Sequence, residues 1–287
     1  MAAQARTANS QMNPKAIALL LLRLAAIVAA VVLIPDLFNM EWRNFEKIFQ
    51  KATSIQFLAV GLVVTITISL ASILLSLPIA MGLALGRLSS IRIIRWPCIA
   101  FIEVIRSLPL ILLIFYINLR LPGLDVFRNM GVGNAETFFG RAVQEILSPA
   151  GLTVALALTV YTAAVNAELL RSGILSLERG QTEAARSLGL NYAQTMRRVI
   201  LPQAFRRTLA PLIAQFTILV KDTSLGSIIG FRELKGSGDV IAGLDYNTLE
   251  VLYVVTLIYF VVNYLLGLSS KLIERRGPSV RVRPVEL

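Results

Sequence analysis

The sequence of 287 residues contains no histidine and a single cysteine, Cys98. Without histidine a metal centre has few ligands to draw on, and one thiol excludes an internal disulfide. Cys98 stands at the boundary of an apolar run, where a small buried side chain is the ordinary reading. Charge is scarce as well. Only 16% of residues are Asp, Glu, Lys or Arg, against 56% hydrophobic, which is too little polar surface for a soluble domain. There is no Gly-x-x-x-x-Gly-Lys-[Ser/Thr] phosphate loop, so ATP hydrolysis within this chain is not expected. Nor is any Ser–Lys or Asp–Asp arrangement convincingly placed in the apolar runs, which argues against an intramembrane enzyme.

What the chain has instead is hydrophobic length. Six apolar runs, near 16–35, 56–86, 97–119, 149–170, 208–230 and 248–270, can each cross a hydrocarbon core of roughly 30 Å, which takes about 20 helical residues. Segments this apolar must be helical, because lipid offers backbone groups no partners. The fold class expected is therefore an all-α membrane protein of about six transmembrane helices. The second run is long enough to tilt. The first could be a cleaved signal, but no small-residue cleavage site precedes the polar stretch from Asp36, and a retained helix is the expectation.

The net charge of +11 raises nucleic acid as a partner, and its distribution argues against it. With residues 87–96, 171–207 and the tail after 270 placed on the N-terminal side, that side holds 17 Lys and Arg. The opposite loops hold eight, and Arg23, Arg106 and Lys221 lie within the runs. The positive-inside bias then puts both termini in the cytoplasm of a multi-pass inner-membrane protein. Loop 120–148 carries Pro122, Gly123, Gly131 and Gly133, with Val126, Phe138 and Val143 suggesting a short interfacial helix. Gly82 and Gly86 form a small-xxx-small pair. Ala155, Ala157, Ala163, Ala164 and Ala167 give the fourth run a thin profile suited to the centre of a bundle.

The most informative stretch is Glu183 to Pro202, EAARSLGLNYAQTMRRVILP, a charged, small-residue insert between apolar runs. Gly180 and Thr182 offer a break and an N-cap, and the Glu183 carboxylate suits a helix N-terminus. Gly189 is a plausible stop. A second helix is expected from Tyr192 to Val199, with Pro202 opening the next segment. A two-turn helix presenting methyl groups, Leu188, Leu190 and one carboxylate suits a groove on another protein, although the same residues also fit an ordinary amphipathic connector.

Glu183-Ala184-Ala185, then Gly189, then Val199-Ile200-Leu201-Pro202 resembles the EAA loop of ABC importer permeases, with Val199 where the family prefers Ile. Tyr161-Thr162-Ala163-Ala164, Ala167-Glu168-Leu169-Leu170-Arg171-Ser172-Gly173-Ile174 and Gly180-Gln181 resemble the polar amino-acid subfamily, the histidine, glutamine and glutamate type. Arg106-Ser107-Leu108-Pro109-Leu110 and Lys221-Asp222-Thr223-Ser224-Leu225 look like two further signatures of that group. Asn166 departs from it, standing where an apolar residue is commoner.

The resemblance covers about residues 55–275. It implies a five-helix type I importer permease core at 55–275 with its EAA loop at 178–202. An N-terminal segment, extra helix and external loop at 1–54 would precede it, and a cytoplasmic tail at 276–287 would follow. It implies coupling to a separate ATPase through Glu183, Ala184, Ala185, Ser187, Leu188, Gly189 and Leu190. The partners implied are a dimer of ATP-binding subunits that binds the ATP, a second permease (the same or homologous), an external substrate-binding protein and membrane lipid. No cofactor is expected in this chain.

Ionisable groups in a membrane each need a reason. Glu103 with Arg106, and Glu168 with Arg171, are three apart and can pair on one helix face. Glu103, Arg106, Asn166, Glu168, Lys221, Asp222, Thr223 and Ser224 are the candidates for a polar pathway. The competing reading makes the pairs helix glue and lets Lys221 snorkel. Arg106 and Lys221 tilt the expected substrate toward acidic amino acids such as glutamate and aspartate. A secondary transporter or channel without an ATPase is the rival from another class.

Overall fold

The computed structural model describes residues 33, 35–120, 137–245 and 248–276. Among the described residues all regular structure is helical. The chain divides into two units, Met1–Gln50 and Lys51–Leu287. In the first, α1 (Trp42–Gln50) places the Trp42 and Phe45 rings 5.5 Å apart. The expected span at 16–35, with Arg23, lies almost wholly outside the described residues.

The second unit is built on α2 (Ala52–Arg87) and α6 (Pro149–Leu175), packed along each other. At 1.5 Å per residue, α2 is about 54 Å long, so it must tilt or project beyond the hydrocarbon. The two helices approach closely because their contact faces are small. Ala157, Ala163, Ala164 and Ala167 on α6 are fully buried, as are Ser69, Ser72 and Ser76 on α2. Ser72 Oγ donates to the Ala155 carbonyl at 3.3 Å. Small residues and shared hydroxyls of this kind join helices where lipid supplies no hydrophobic drive. Of the Gly82–Gly86 pair, Gly86 packs on the Cys98 sulfur while Gly82 meets nothing.

The third run is not one span. It forms α3 (Arg92–Ser107) and α4 (Leu110–Arg120), bent by 104°. Pro109 has no N–H to donate and drives the preceding residue out of helical geometry; Leu108 accordingly sits at φ −81°, ψ 134°. The continuous span expected at 97–119 is therefore corrected to a broken one.

α5 (Phe138–Ile146) supplies the short helix expected in loop 120–148, whose residues 121–136, with Val126, lie outside the described set. After α7 (Arg179–Ser187), the chain runs through α8 (Tyr192–Thr195), a π-helical turn Met196–Ile200, α9 (Leu201–Asp222) and a 3-10 turn Thr223–Ile229. The two helices expected on either side of Pro202 are thus one. The Leu201 N–H reaches back to the Met196 carbonyl, and Pro202 has no N–H to continue the α register, so the helix widens instead of stopping. α10 (Leu234–Asp245) and α11 (Thr248–Arg276) complete the fold.

Among the described residues, four helices or helical runs are long and apolar enough to cross a membrane, or five if the bent α3–α4 pair counts as one. The unit has two ends. Arg87, the C-termini of α3 and α6, and α7 mark one; α5, α10 and the start of α2 mark the other.

Candidate functional site

At the first end, α7 is closed by geometry the sequence specifies. Gly189 adopts φ +79°, a left-handed conformation that costs glycine nothing. It lets the Gly189 N–H reach the Arg186 carbonyl at 2.9 Å and the Leu190 N–H reach the Ala185 carbonyl at 3.2 Å, a paired C-terminal closure. The N-terminus differs from expectation. The helix begins at Arg179 with Glu178 as N-cap residue, so Thr182 is inside the helix and not its cap. Gly180 is accommodated in the first turn, where amide groups lack intrahelical partners in any case.

Ala185 is buried at 4% exposure, whereas Leu188 stands out at 82%. Glu183, Ala184 and Ser187 are exposed and Leu190 is half-buried. The helix therefore uses one methyl group to sit down and presents the rest. Two polar contacts hold its base. Gln203 Nε2 donates to Gln181 Oε1 at 3.2 Å, and Arg207 Nη1 donates to the Ser176 carbonyl at 2.6 Å. The second contact places a cation on the C-terminal cap of α6, where the helix dipole is negative.

The charges expected to form a pathway separate into two groups. Glu168 is held by Arg171, whose Nε lies 3.0 Å from both carboxylate oxygens and whose Nη2 contacts Oε1. Glu103 does not pair with Arg106. Its partner is Arg87, whose Nη1 lies 3.0 Å from Glu103 and 3.3 Å from Glu168. Both are ion-pair distances, but neither has hydrogen-bond geometry, since Nη1 makes no hydrogen bond. Both lie on α3, but Glu103 turns to α2 while Arg106 stays exposed in the last turn before the break. Arg87 was read from the sequence only as a topology charge, because nothing local marks the end of a 36-residue helix as the neighbour of residues 16 and 81 positions on.

Asn166 faces α2 from within the α6 contact. It is fully buried, and its Nδ2 donates to Ser76 Oγ at 3.2 Å. Thr223 is likewise fully buried, its hydroxyl bonded to the Val220 carbonyl at 2.8 Å. Ser224 bonds the Lys221 carbonyl at 2.7 Å. Lys221 is exposed and Asp222 half-buried, and among the described residues no ion pair joins them. Lys221 borders an open groove with Thr256, Tyr259, Phe260, Asn263 and Tyr264 of α11. Because Leu212 packs beside Ala167 and Leu170, Asp222 lies about 15 Å further along α9 than the Glu168 cluster.

The opposite end holds a residue that sequence reasoning missed. Glu233 is fully buried. Its carboxylate accepts from Thr65 Oγ1 at 3.2 Å, Tyr259 Oη at 2.5 Å, the Lys235 amide at 3.0 Å and the Gly236 amide at 2.9 Å. Thr65 Oγ1 in turn accepts from the Leu234 amide at 3.1 Å. Burial pushes the Glu233 carboxyl above the usual carboxylate range, opposed by the hydrogen bonds from Tyr259, the two amides and Thr65. No spacing in GFRELKGSG announces this, since two of the four donors lie far away in the sequence.

Residues 76–277 match the family model described as "Binding-protein-dependent transport system inner membrane component". The glutamate transport system permease protein GluD of Corynebacterium glutamicum is 36% identical over 78% of this chain and 76% of its own length. The probable glutamine ABC transporter permease protein GlnP of Bacillus subtilis is 33% identical over 77% of this chain and 93% of its own. In fold, the chain superposes on the crystal structure of an amino acid ABC transporter with histidines at a TM-score of 0.65. That match has 29% identity and covers 79% of this chain and 97% of the other. With its helical core, its α7 insert and a family match over most of its length, the chain belongs to the inner-membrane components of binding-protein-dependent transport systems.

Proposed function

We propose that this chain is the permease subunit of an ATP-driven amino-acid importer, and that α7 couples it to a separate ATPase that binds the nucleotide. The observation that carries the reading is α7 itself: a closed helix with one buried methyl, an exposed Glu183 and an exposed Leu188. Such a knob fits a groove on a partner. The chain has no phosphate loop of its own. In this reading the α7 end and both termini are cytoplasmic, as the charge bias favours. A second permease, the same or homologous, completes the pathway, and an external binding protein delivers the substrate at the α10 end.

The glutamate and glutamine relatives support polar amino acids. Exposed Arg106 and Lys221 tilt the preference toward acidic ones, because each offers a cation to a carboxylate. Arg106 and the Glu103–Glu168 cluster form one polar station and Lys221–Asp222 a second, further along α9. Closure of the ATPase dimer would displace α7, and the Gln181–Gln203 and Ser176–Arg207 contacts would carry that displacement into α9.

Glu183→Lys tests the reading. Copurification with the ATPase, or substrate-stimulated ATP hydrolysis, should fall severely while the permease still folds. A secondary transporter would keep its uptake unchanged, and concentrative uptake by the reconstituted chain alone would overturn the proposal.

A further inference from the structure

Buried carboxylates are costly, and Glu233 is offset by hydrogen bonds alone. Among the described residues its four donors are two backbone amides and two hydroxyls, with no Lys or Arg in ion-pair contact. The amides of Lys235 and Gly236 belong to the first turn of α10, so the carboxylate caps that helix from inside the protein. The Thr65 hydroxyl comes from α2 and the Tyr259 phenol from α11. One side chain therefore fastens three helices at a single point. The Thr65 hydroxyl also stands beside Tyr259, as does the hydroxyl of Thr223 in the turn that follows α9.

Two independent features reinforce this fastening. An ideal Cβ on Gly61 would lie 2.5 Å from Ser237 Oγ, 2.8 Å from the Glu233 carbonyl and 2.9 Å from Leu234 Cα, so α10 rests directly on the α2 backbone. The Arg232 amide donates to Glu145 Oε1 of α5 at 2.8 Å, which anchors the approach to α10 on its other side. Among the described residues α7 is held more lightly, with Ala185 its one buried side chain and an exposed Gln203–Gln181 bond tying it to α9.

We propose that Glu233 is a positioning residue that welds α10 to α2 and α11, so that this corner travels as one rigid body through the transport cycle. The hinge of alternating access then lies elsewhere, and the corner transmits motion to the Lys221–Ser224 turn without deforming. The role in a cycle rests on the importer reading above, whereas the weld itself does not.

The test uses the complete transporter with its ATPase, in a Cys98→Ser background. Spin labels go on Gln56→Cys of α2 and Asp239→Cys of α10, both exposed. Their distance is measured in nucleotide-free and ATP-trapped states, alongside uptake per ATP hydrolysed. With Glu233 present, one narrow distance common to both states is expected. Glu233→Gln sets an amide donor against four donors, and should broaden the distribution and lower uptake per ATP by about tenfold. Should that variant not fold, Thr65→Val and Tyr259→Phe each remove one donor and should broaden it less. A distance that shifts between states with Glu233 intact overturns the proposal, as does a folded Glu233→Gln protein with unchanged width and coupling. Failure of the ATPase to associate would instead count against the α7 reading, and the nucleotide-free distance would still report the weld.

Discussion

The two ends of this molecule solve opposite problems with the same materials. At the α10 end a buried glutamate, two hydroxyls and a bare glycine backbone lock three helices together. At the α7 end a glutamate, a serine and a glycine lie in the open, and only Ala185 is sunk into the protein. Exposed charge of that kind adds little to stability, while a satisfied buried network costs dearly to disturb. The difference teaches that α10 is fixed within its own chain whereas α7 is only lightly fastened to it, as the proposed docking role requires.

The sharpest way to break this comparison is one methyl group at the α10 end. In Gly61→Ala the new Cβ meets the Glu233 carbonyl and Leu234 Cα, which are backbone atoms that cannot rotate away. Overpacking of this sort costs about 1–3 kcal/mol, more than the roughly 1 kcal/mol that alanine gains over glycine in a helix. The detergent-solubilised transporter should melt earlier, and labels on α2 and α10 should move apart. An unchanged melting temperature would mean that α10 does not bear on α2 as closely as described.

Much of this architecture was legible in the residues. Hydropathy located the spans of α2, α6, α9 and α11, because twenty apolar residues have few other uses. Gly189 announced the end of α7, because a left-handed residue is cheap only for glycine. Hydropathy failed at Leu108–Pro109, where apolar residues continue but the backbone turns by 104°. Summed apolarity carries no information about direction, although the proline was there to be read. Arg87 and Glu233 were beyond reach for another reason. Their partners lie on other helices, and only packing decides which distant side chains converge. The same limit applies to Asn166, since an amide in a membrane helix can face a pathway or a neighbouring serine, and only packing brings its Nδ2 to Ser76.

A gentler break concerns how the α7 end is joined to the rest. Arg207→Gln removes the cation from the α6 C-terminal cap and the bond to the Ser176 carbonyl. The site is exposed, so the stability cost should be small, about 0.5–1 kcal/mol. Its effect on coupling should be larger. The ATPase should still bind and hydrolyse ATP at its basal rate, while stimulation by loaded binding protein and uptake per ATP both fall severalfold. If stimulation survives intact, displacement of α7 reaches α9 by another route, through Gln181–Gln203 or through the buried cluster of Ile174, Ile200 and Ala204.

The smallest expected effect is the most discriminating, because it repeats the first substitution at the opposite end. Gly180→Ala adds the same methyl group inside α7, where an ideal Cβ meets nothing within 4 Å. No close approach opposes it, so only the unfolded chain's lost freedom counts, and the variant should gain about 0.5–1 kcal/mol of local helix stability. Slower amide exchange across Arg179–Ser187 would register that gain. Its consequence for docking then depends on how α7 meets its partner. If the helix docks as it stands in this structure, a better-formed helix should bind the ATPase up to about fivefold more tightly. If α7 must unwind to dock, the same methyl group should weaken association by a similar factor. In its own stability, the lightly fastened α7 should therefore respond to one methyl with the opposite sign from the α10 corner.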